Sequence, residues 1–305
     1  MTSTALVARI RRRLARALDP HAKLEPPPIR PPRATVLFDA GENSKACEVA
    51  LQNGGHLYHS FDFTNGFHAA GDWDVAADVA AYRLPDVRGK RVLEIGPASG
   101  WFSFYLETLG ADVTVVETRG YGDFDQYGVD AYTGAGSQPA NRVIDGRPVW
   151  YGPVSASFWT MHDLLKSKVA YVNGRAYEVG PDMFPEPFDL VLICAVLPHL
   201  RDPVGALRAA HSVCKPDGLC IATSPTWAQK DGDPAPMQAL PNTAVDTISW
   251  WAPNKAAFRH WFMAAGFKSV DVEETLHYTP DRELFSETGM MLNAPQILRL
   301  AHARP

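Results

Sequence analysis

The chain of 305 residues has no long hydrophobic run, only four cysteines and no excess of positive charge. It lacks the roughly 18 consecutive apolar residues that a membrane-spanning helix needs, and its N-terminus lacks the apolar core of a signal peptide. The cysteines show no paired metal-ligand spacing, so we expect them to be reduced core residues. The formal net charge of −5 gives a nucleic-acid partner no global electrostatic support, although a local basic patch stays open. We expect a cytoplasmic protein without a membrane span.

Residues 1–33 form a segment of their own. Residues 5–18 predict a basic amphipathic helix, with Leu6, Ile10, Leu14 and Leu18 on one side. Such a helix could contact anionic lipid, RNA or a partner subunit, or it could pack on its own domain or join two copies in a homo-oligomer. The proline-rich residues 25–33 predict a stiff, extended connector.

Regular alternation of strands and helices begins near residue 89, after a region of short elements at 34–88 that we interpret as a cap over a ligand site. Apolar periodicity predicts strands at 91–95, 112–117, 188–194, 218–224, 268–277 and 294–301. It predicts helices near 74–82, 101–109, 156–167, 203–213 and 254–265. This order is typical of an α/β fold with a doubly wound, Rossmann-like sheet over residues 89–305.

The interval 118–154 interrupts this alternation. It is long, rich in glycine, tyrosine, aspartate and serine, and shows no convincing periodicity. Long intervals of this kind are either functional or disordered. We favour a lid over the substrate, which would include Tyr121, and a surface insertion is the alternative.

A strand, a turn of small residues, a helix and a second strand follow one another at 91–117. Gly96 and Gly100 allow the backbone of the turn to approach a ligand closely. Glu117 closes the second strand, where a βαβ unit contacts the ribose of a nucleoside-bearing ligand. The segment therefore predicts a nucleoside site.

Three residues of this turn indicate which nucleoside ligand it binds. A dinucleotide turn has glycine at its second and third conserved positions, whereas this chain has Ala98 and Trp101. Glu94, just before the turn, would repel a diphosphate but attract an ammonium group. S-adenosylmethionine has an ammonium group and no phosphate.

The turn resembles the first motif of the class I methyltransferases, acidic-x-Gly-x-Gly-x-Gly, with Ala98 in place of the middle glycine. The resemblance implies a mostly parallel sheet whose last strand is antiparallel, and S-adenosylmethionine as methyl donor. A Rossmann-like turn without ligand is the alternative. The cofactor-binding residues that we expect from it are Glu94, Gly96, Pro97, Ala98, Ser99, Gly100, Glu117, Glu178 and Ala195.

Glu178 enters this set because related enzymes receive the adenine amine on an acidic residue about ten positions before the pair Phe188-Asp189, at the end of the third strand of the sheet. A solvent-exposed carboxylate is the alternative interpretation of Glu178.

His199 follows the apolar strand at 188–194, at the edge where open α/β sheets bind ligands. In many class I methyltransferases of small molecules a histidine lies at this place. An alcohol that attacks a methyl group must lose its proton, and a histidine that titrates near neutrality is a suitable base. The alternative is that His199 caps the next helix or holds the loop.

Segments 57–63, 66–74, 250–258 and 264–267 resemble a narrower group, the methyltransferases related to the bacterial enzymes that modify the wobble uridine of tRNA. The similarity covers residues 55–267. Because variable regions usually select the substrate and residues 1–50 and 118–154 have no counterpart, we do not transfer the tRNA substrate.

His59 and His68 are further candidates for the acceptor pocket, where either could assist His199. Aromatic walls would exclude water and stabilise a sulfonium, although each aromatic residue could equally be core. The separations of the three histidines fit no compact ligand motif, so we predict no metal. The candidate wall residues are Tyr58, Phe63, Trp73, Tyr121, Trp250 and Trp251.

Together these features predict an S-adenosylmethionine-dependent methyltransferase that transfers the methyl group directly to a hydroxyl of a small polar molecule, such as a sugar or a specialised metabolite. A tRNA-modifying enzyme and a non-catalytic S-adenosylmethionine-binding protein are the alternatives.

Overall fold

The computed structural model describes residues 36–41, 57–118, 125, 142–144, 147–149, 152–225, 237–239, 250–280 and 296–305. The helix and connector predicted for residues 1–33, most of the interval 118–154 and the candidate Tyr121 lie outside the described residues.

Within these residues the chain forms fourteen strands and four α-helices. The strands are β1 (Phe61–Asp62), β2 (His68–Ala69), β3 (Trp73–Asp74), β4 (Arg91–Ile95), β5 (Asp112–Glu117), β6 (Arg142–Ile144), β7 (Arg147–Val149), β8 (Ala170–Asn173), β9 (Phe188–Cys194), β10 (Cys214–Pro225), β11 (Met237–Ala239), β12 (Trp251–Pro253), β13 (Ser269–Pro280) and β14 (Gln296–Arg304). The α-helices are α1 (Trp101–Thr108), α2 (Gly152–Leu164), α3 (Pro203–Ser212) and α4 (Lys255–Ala265), and 3-10 helices span Ala76–Tyr82, Ala176–Glu178 and Leu197–His199.

The main sheet has the strand order β8-β5-β4-β9-β10-β14-β13-β3. The five strands from β8 to β10 are mutually parallel. Strand β14 is antiparallel to both its neighbours, β10 and β13, and the two-residue β3 extends the sheet beyond β13. The predicted mostly parallel sheet with its last strand antiparallel is therefore confirmed.

Both faces of the sheet are buried. In β9, Leu190 and Leu192 pack on the face covered by α1 and α2, whereas Val191 and Ile193 pack on the face covered by α3 and α4. Side chains alternate across a strand, so a strand covered on both sides must be apolar at every position. This explains the unbroken apolar run that made β9 recognisable in the sequence.

Strands β4, β5 and β9 have the predicted bounds, and β8 was missed. Strand β8 has only four residues, none of them fully buried, so it carries neither an apolar run nor a clear alternation. The helix predicted near 74–82 is a 3-10 helix. Part of the interval 118–154, whose sequence shows no convincing periodicity, forms the antiparallel pair β6 and β7.

The described part of the chain includes three of the four cysteines. Cys214 and Cys220 are buried free thiols, as predicted, and Cys194 is a free thiol that is only half-buried. Cys47 lies outside the described residues. Among the helices described, none is long and apolar enough to cross a membrane.

The segment 57–74 packs against the start of α1. Phe38 and Phe61 contact each other with ring centroids 5.1 Å apart, and Phe38 meets the ring of Trp101 edge-on. The backbone of Ser60 donates to the carbonyl of Trp73. This hydrogen bond requires the backbone near residue 60 and the backbone near residue 73 to lie close together. Gly71 lies where they approach most closely.

We predict that Gly71→Ala destabilises the protein. A Cβ atom at residue 71 would lie 2.6 Å from the carbonyl oxygen of His59 and 2.7 Å from the nitrogen of Ser60, and both are backbone atoms that cannot rotate away. Overpacking of this kind costs about 3 kcal/mol. Urea unfolding measures the loss. Gly180→Ala is the matched control, because a Cβ there meets nothing closer than 4.0 Å; equal losses would contradict the prediction.

Candidate active site

The strand order reverses direction between β4 and β9, since the chain proceeds from β4 to β5 on one side and later to β9 on the other. Open α/β sheets bind ligands at the carboxyl ends of the strands beside such a point. The turn 96–100, Glu117, Asn173 and Ala195 follow or end the four parallel strands that meet there.

The turn between β4 and α1 has left-handed backbone conformation at alternate residues. Gly96, Ala98 and Gly100 have φ angles of 74°, 50° and 84°. Glycine adopts such angles freely, and alanine, with only a Cβ, adopts them at a cost of roughly 1–2 kcal/mol. The three positions of the sequence motif are therefore the three positions where the backbone demands a very small residue.

The segment after β9 lies directly on this turn. A Cβ atom at Gly96 would come within 2.5 Å of the side chain of Val196. Ala195, the residue before Val196, also has a positive φ of 58°. Its backbone N–H donates to Thr223 of β10. His199 ends the 3-10 helix that begins at Leu197, and its backbone N–H donates to the carbonyl of Val196 at 2.9 Å.

Two carboxylates flank the turn, and Glu94 is buried whereas Glu117 is half-buried. Glu94 is 1% exposed and accepts a hydrogen bond from the hydroxyl of Ser103. Burial, with repulsion by Glu117, raises the pKa of Glu94 to about 7. Burial likewise raises the pKa of Glu117, although Thr118 donates its backbone N–H to that carboxylate at 2.9 Å. Buried carboxylates are stabilised by cations and hydroxyl donors, so an ammonium and a ribose fit this pair.

Asn173 is the residue of this edge that sequence reasoning missed. It ends β8 and lies opposite Glu117 in the register. Its Oδ1 is buried and, among the described residues, accepts no hydrogen bond. A buried acceptor without a donor costs free energy, and the amino group of adenine is a donor of the kind that it lacks.

The structure corrects the predicted position of Glu178. The third strand of the sheet ends at Asn173, five residues earlier, and Glu178 lies in a 3-10 helix. Its Oε2 accepts the backbone N–H of Arg175 at 2.9 Å, which caps that helix. Counting back from the next strand placed the end of the third strand five residues too late because β8 itself was not recognised.

The two histidines from the cap occupy different environments. His59 is 4% exposed, and its backbone N–H donates to the hydroxyl of Ser99 at 2.9 Å. Its Nδ1 is 3.4 Å from the same hydroxyl, and burial lowers the pKa of His59 to about 3. His68 is on β2, with 38% of its side chain exposed and its Nδ1 2.7 Å from Asp62. The described residues contain no group of three or more possible metal ligands.

The candidate aromatic residues fall into two groups. Phe63 and Trp73 are buried in the apolar cluster that residues of the cap form with α1 and α2, and Tyr58 is half-buried with its ring 4.9 Å from that of His59. Trp250 and Trp251 contact the segment that carries His199. The backbone N–H of Trp250 donates to Pro198 at 2.7 Å, and the indole N–H of Trp251 donates to the neighbouring carbonyl of Leu200 at 3.0 Å.

We predict that Glu94→Gln removes a pH dependence of stability from the cofactor-free protein. Between pH 4.5, the usual pKa, and pH 7, the folded protein keeps a proton on Glu94 that the unfolded chain releases. The free energy of unfolding therefore falls as the pH rises through this window, by up to about 3 kcal/mol at 1.36 kcal/mol for each unit of pKa shift.

Urea unfolding at pH 5 and pH 8 measures the effect. The stability of Glu94→Gln relative to the unchanged protein should increase from the lower to the higher pH, whereas the exposed control Glu186→Gln should show no such increase. A relative stability of Glu94→Gln that is the same at both pH values would refute the prediction.

Comparisons with known proteins agree with this geometry. The methyltransferase-domain family matches residues 68–272, well over half of the chain. A tRNA U34 carboxymethyltransferase of Azotobacter vinelandii is 25% identical over 194 residues, which cover 62% of this chain and 50% of that protein. The protein of the same name from Pseudomonas syringae is 22% identical, and the match covers 66% of this chain and 53% of the length of that protein. The chain thus spans about half the length of the curated relatives it matches.

Among solved structures, the N-terminal domain of EvdMO1, determined in the presence of S-adenosylhomocysteine and D-fucose, superposes with a TM-score of 0.53. The match is 14% identical and covers 87% of this chain and 97% of that one, so it shows a shared fold. By its family match, its sheet and its turn, the chain belongs to the methyltransferase-domain family, as a class I enzyme related to the tRNA U34 carboxymethyltransferases that uses S-adenosylmethionine as methyl donor.

Proposed function

We propose that the enzyme methylates a hydroxyl of a small polar acceptor, such as a sugar or a specialised metabolite, with His199 as the base. The observation that carries this proposal is the contact between Val196 and Gly96. It brings the short helix that ends in His199 against the cofactor turn, at the edge of the sheet where a methyl acceptor must approach.

Methyl transfer from a sulfonium is an in-line displacement, and the bound cofactor would supply the electrophilic methyl group. The chain must orient the acceptor and remove its proton as its oxygen attacks. His199 is half-buried and lies within a backbone held by hydrogen bonds on both sides. These features support a base with a defined position.

The other two histidines support different roles. A pKa of about 3 keeps His59 uncharged at neutral pH and makes it a weak base. Its contacts with Ser99 suit a residue that orients the cofactor turn. His68, which is itself exposed on β2 and is oriented by Asp62 of β1, remains a candidate for contact with the acceptor.

We expect His199→Ala to lower kcat by about a hundredfold or more, since general bases contribute 10²–10⁴ in rate. The affinity for S-adenosylhomocysteine should stay within about threefold of the original. Release of S-adenosylhomocysteine with a verified acceptor measures turnover, and a panel of sugars including D-fucose is the first source of acceptors. His260→Ala, exposed on α4, is the control. An unchanged kcat in His199→Ala would rule out the base.

Modification of a tRNA is the second candidate function, favoured by the matched relatives, whose name is tRNA U34 carboxymethyltransferase. The sequence similarity covers the shared domain, whereas the basic segment of residues 1–33 has no counterpart that the resemblance identified. Contacts between this segment and phosphates would give an affinity that depends steeply on salt.

Titration of the full chain with unmodified tRNA at 50 and 200 mM salt separates the two candidates. For a small-molecule enzyme we expect no saturable binding at the higher concentration and no methylated nucleoside in the RNA. Saturable binding at 200 mM salt together with methyl incorporation into the tRNA would overturn the small-molecule proposal. Poly-uridylate is the control for non-specific binding.

A further inference from the structure

Asp125 is a buried carboxylate beside the candidate active site, contributed by the long interval 118–154. Only 7% of the residue is exposed. Its Oδ1 accepts a hydrogen bond from Nη2 of Arg175 at 3.0 Å, and its Oδ2 accepts the backbone N–H of Arg201 at 2.7 Å. The hydroxyl of Tyr177 also donates to Oδ2, and the indole N–H of Trp250 donates to the backbone carbonyl of Asp125.

These four donors come from three segments that are distant in sequence. Arg175 and Tyr177 follow β8, Arg201 follows β9, and Trp250 precedes β12. The hydroxyl of Tyr177 in turn accepts the backbone N–H of Asp202 at 3.1 Å. Burial, with the hydrogen bond to Asp125, raises the pKa of Tyr177 well above its usual value, so the hydroxyl stays protonated and can donate.

The segment joined in this way is the one that carries His199. Before the histidine, the carbonyl of Pro198 accepts from the backbone of Trp250. After it, Leu200 accepts from the indole of Trp251, and the next two backbone N–H groups, of Arg201 and Asp202, connect to Asp125 directly and through Tyr177. Residues on both sides of His199 are thus held by hydrogen bonds.

Two features make the carboxylate a strong link between segments. It receives a guanidinium, and charge-assisted hydrogen bonds are shorter and stronger than neutral ones. It also uses both oxygens at once, on donors from different segments. An amide at this position would turn an NH₂ group towards one of those donors.

We propose that Asp125 is a positioning residue for methyl transfer, whose carboxylate holds the backbone around His199 in the orientation that the base requires. This inference rests on the proposed role of His199. Displacements of about 1 Å of a reacting group can cost a hundredfold in rate, so a loosened segment should affect turnover more than cofactor binding.

The test compares Asp125→Asn with Asp189→Asn. Asp189 is a matched control, since it too accepts a backbone N–H, from Arg91 at 3.0 Å, and pairs with a basic side chain, Lys215 at 2.9 Å. It lies at the amino end of β9, the end opposite His199. Each variant replaces a carboxylate that accepts a backbone N–H and pairs with a basic side chain, but only Asp125 lies beside the candidate active site.

The readouts are the imidazole NMR signals of His199, assigned by their loss in His199→Gln, and the separate values of kcat and of the affinity for S-adenosylhomocysteine. In Asp125→Asn we expect the signals to shift or broaden and kcat to fall about tenfold, with the affinity within about threefold. Asp189→Asn should change neither signal nor kcat. Unchanged His199 signals in Asp125→Asn, or the same changes in both variants, would overturn the proposal.

Tyr177→Phe keeps the test decisive if Asp125→Asn does not fold. It removes one donor and the link to Asp202 but leaves the buried carboxylate paired with Arg175. The His199 signals should move in the same direction by a smaller amount, and unchanged signals would overturn the proposal. Because the NMR signals need no acceptor, the two proposals can fail separately. If the His199 signals move but His199 proves dispensable for turnover, the base role is refuted, and with it the role of Asp125 in methyl transfer; only its effect on the backbone around His199 is then established.

Discussion

The contact between Gly96 and Val196 is the constraint on which the site depends. The two residues follow adjacent parallel strands, β4 and β9, and the absence of a side chain at Gly96 is what allows them to touch. Any larger residue would separate the cofactor turn from the helix that ends in His199. The sheet holds both strands in register over three residue pairs, so the core sets the distance between the cofactor turn and the segment that carries His199.

The charges and hydrogen-bond acceptors at the same edge of the sheet determine which ligand fits there. Glu94 and Glu117 are carboxylates whose burial raises their pKa values, and Asn173 adds a buried acceptor. All three require positive charge or hydrogen-bond donors. An ammonium, ribose hydroxyls and an adenine amine meet these requirements in one molecule, whereas a diphosphate would add negative charge. The structure thus gives a physical reason why this turn is suited to S-adenosylmethionine.

The sequence predicted those parts of the fold in which burial imposes a regular pattern. Strands β4, β5 and β9 are apolar because the sheet is covered on both faces, and the turn residues are small because their φ angles are positive. Strand β8 is a short edge strand, and its omission placed the end of the third strand near Glu178 instead of at Asn173.

Asp125 shows a second limit of sequence reasoning. Its partners lie 50 to 125 residues away, and no spacing rule relates an aspartate in an irregular interval to such positions. The roles expected for residues 1–33 and for Tyr121 remain predictions, since both lie outside the described residues.

The alanines at positions 98 and 195 have a consequence for stability. Both are held at positive φ, where glycine would fit without strain. Each alanine therefore stores roughly 1–2 kcal/mol of backbone strain that a glycine would avoid. Strained residues persist only where the surrounding structure holds them, so the packing of the two adjacent strand ends must balance this strain at the candidate site.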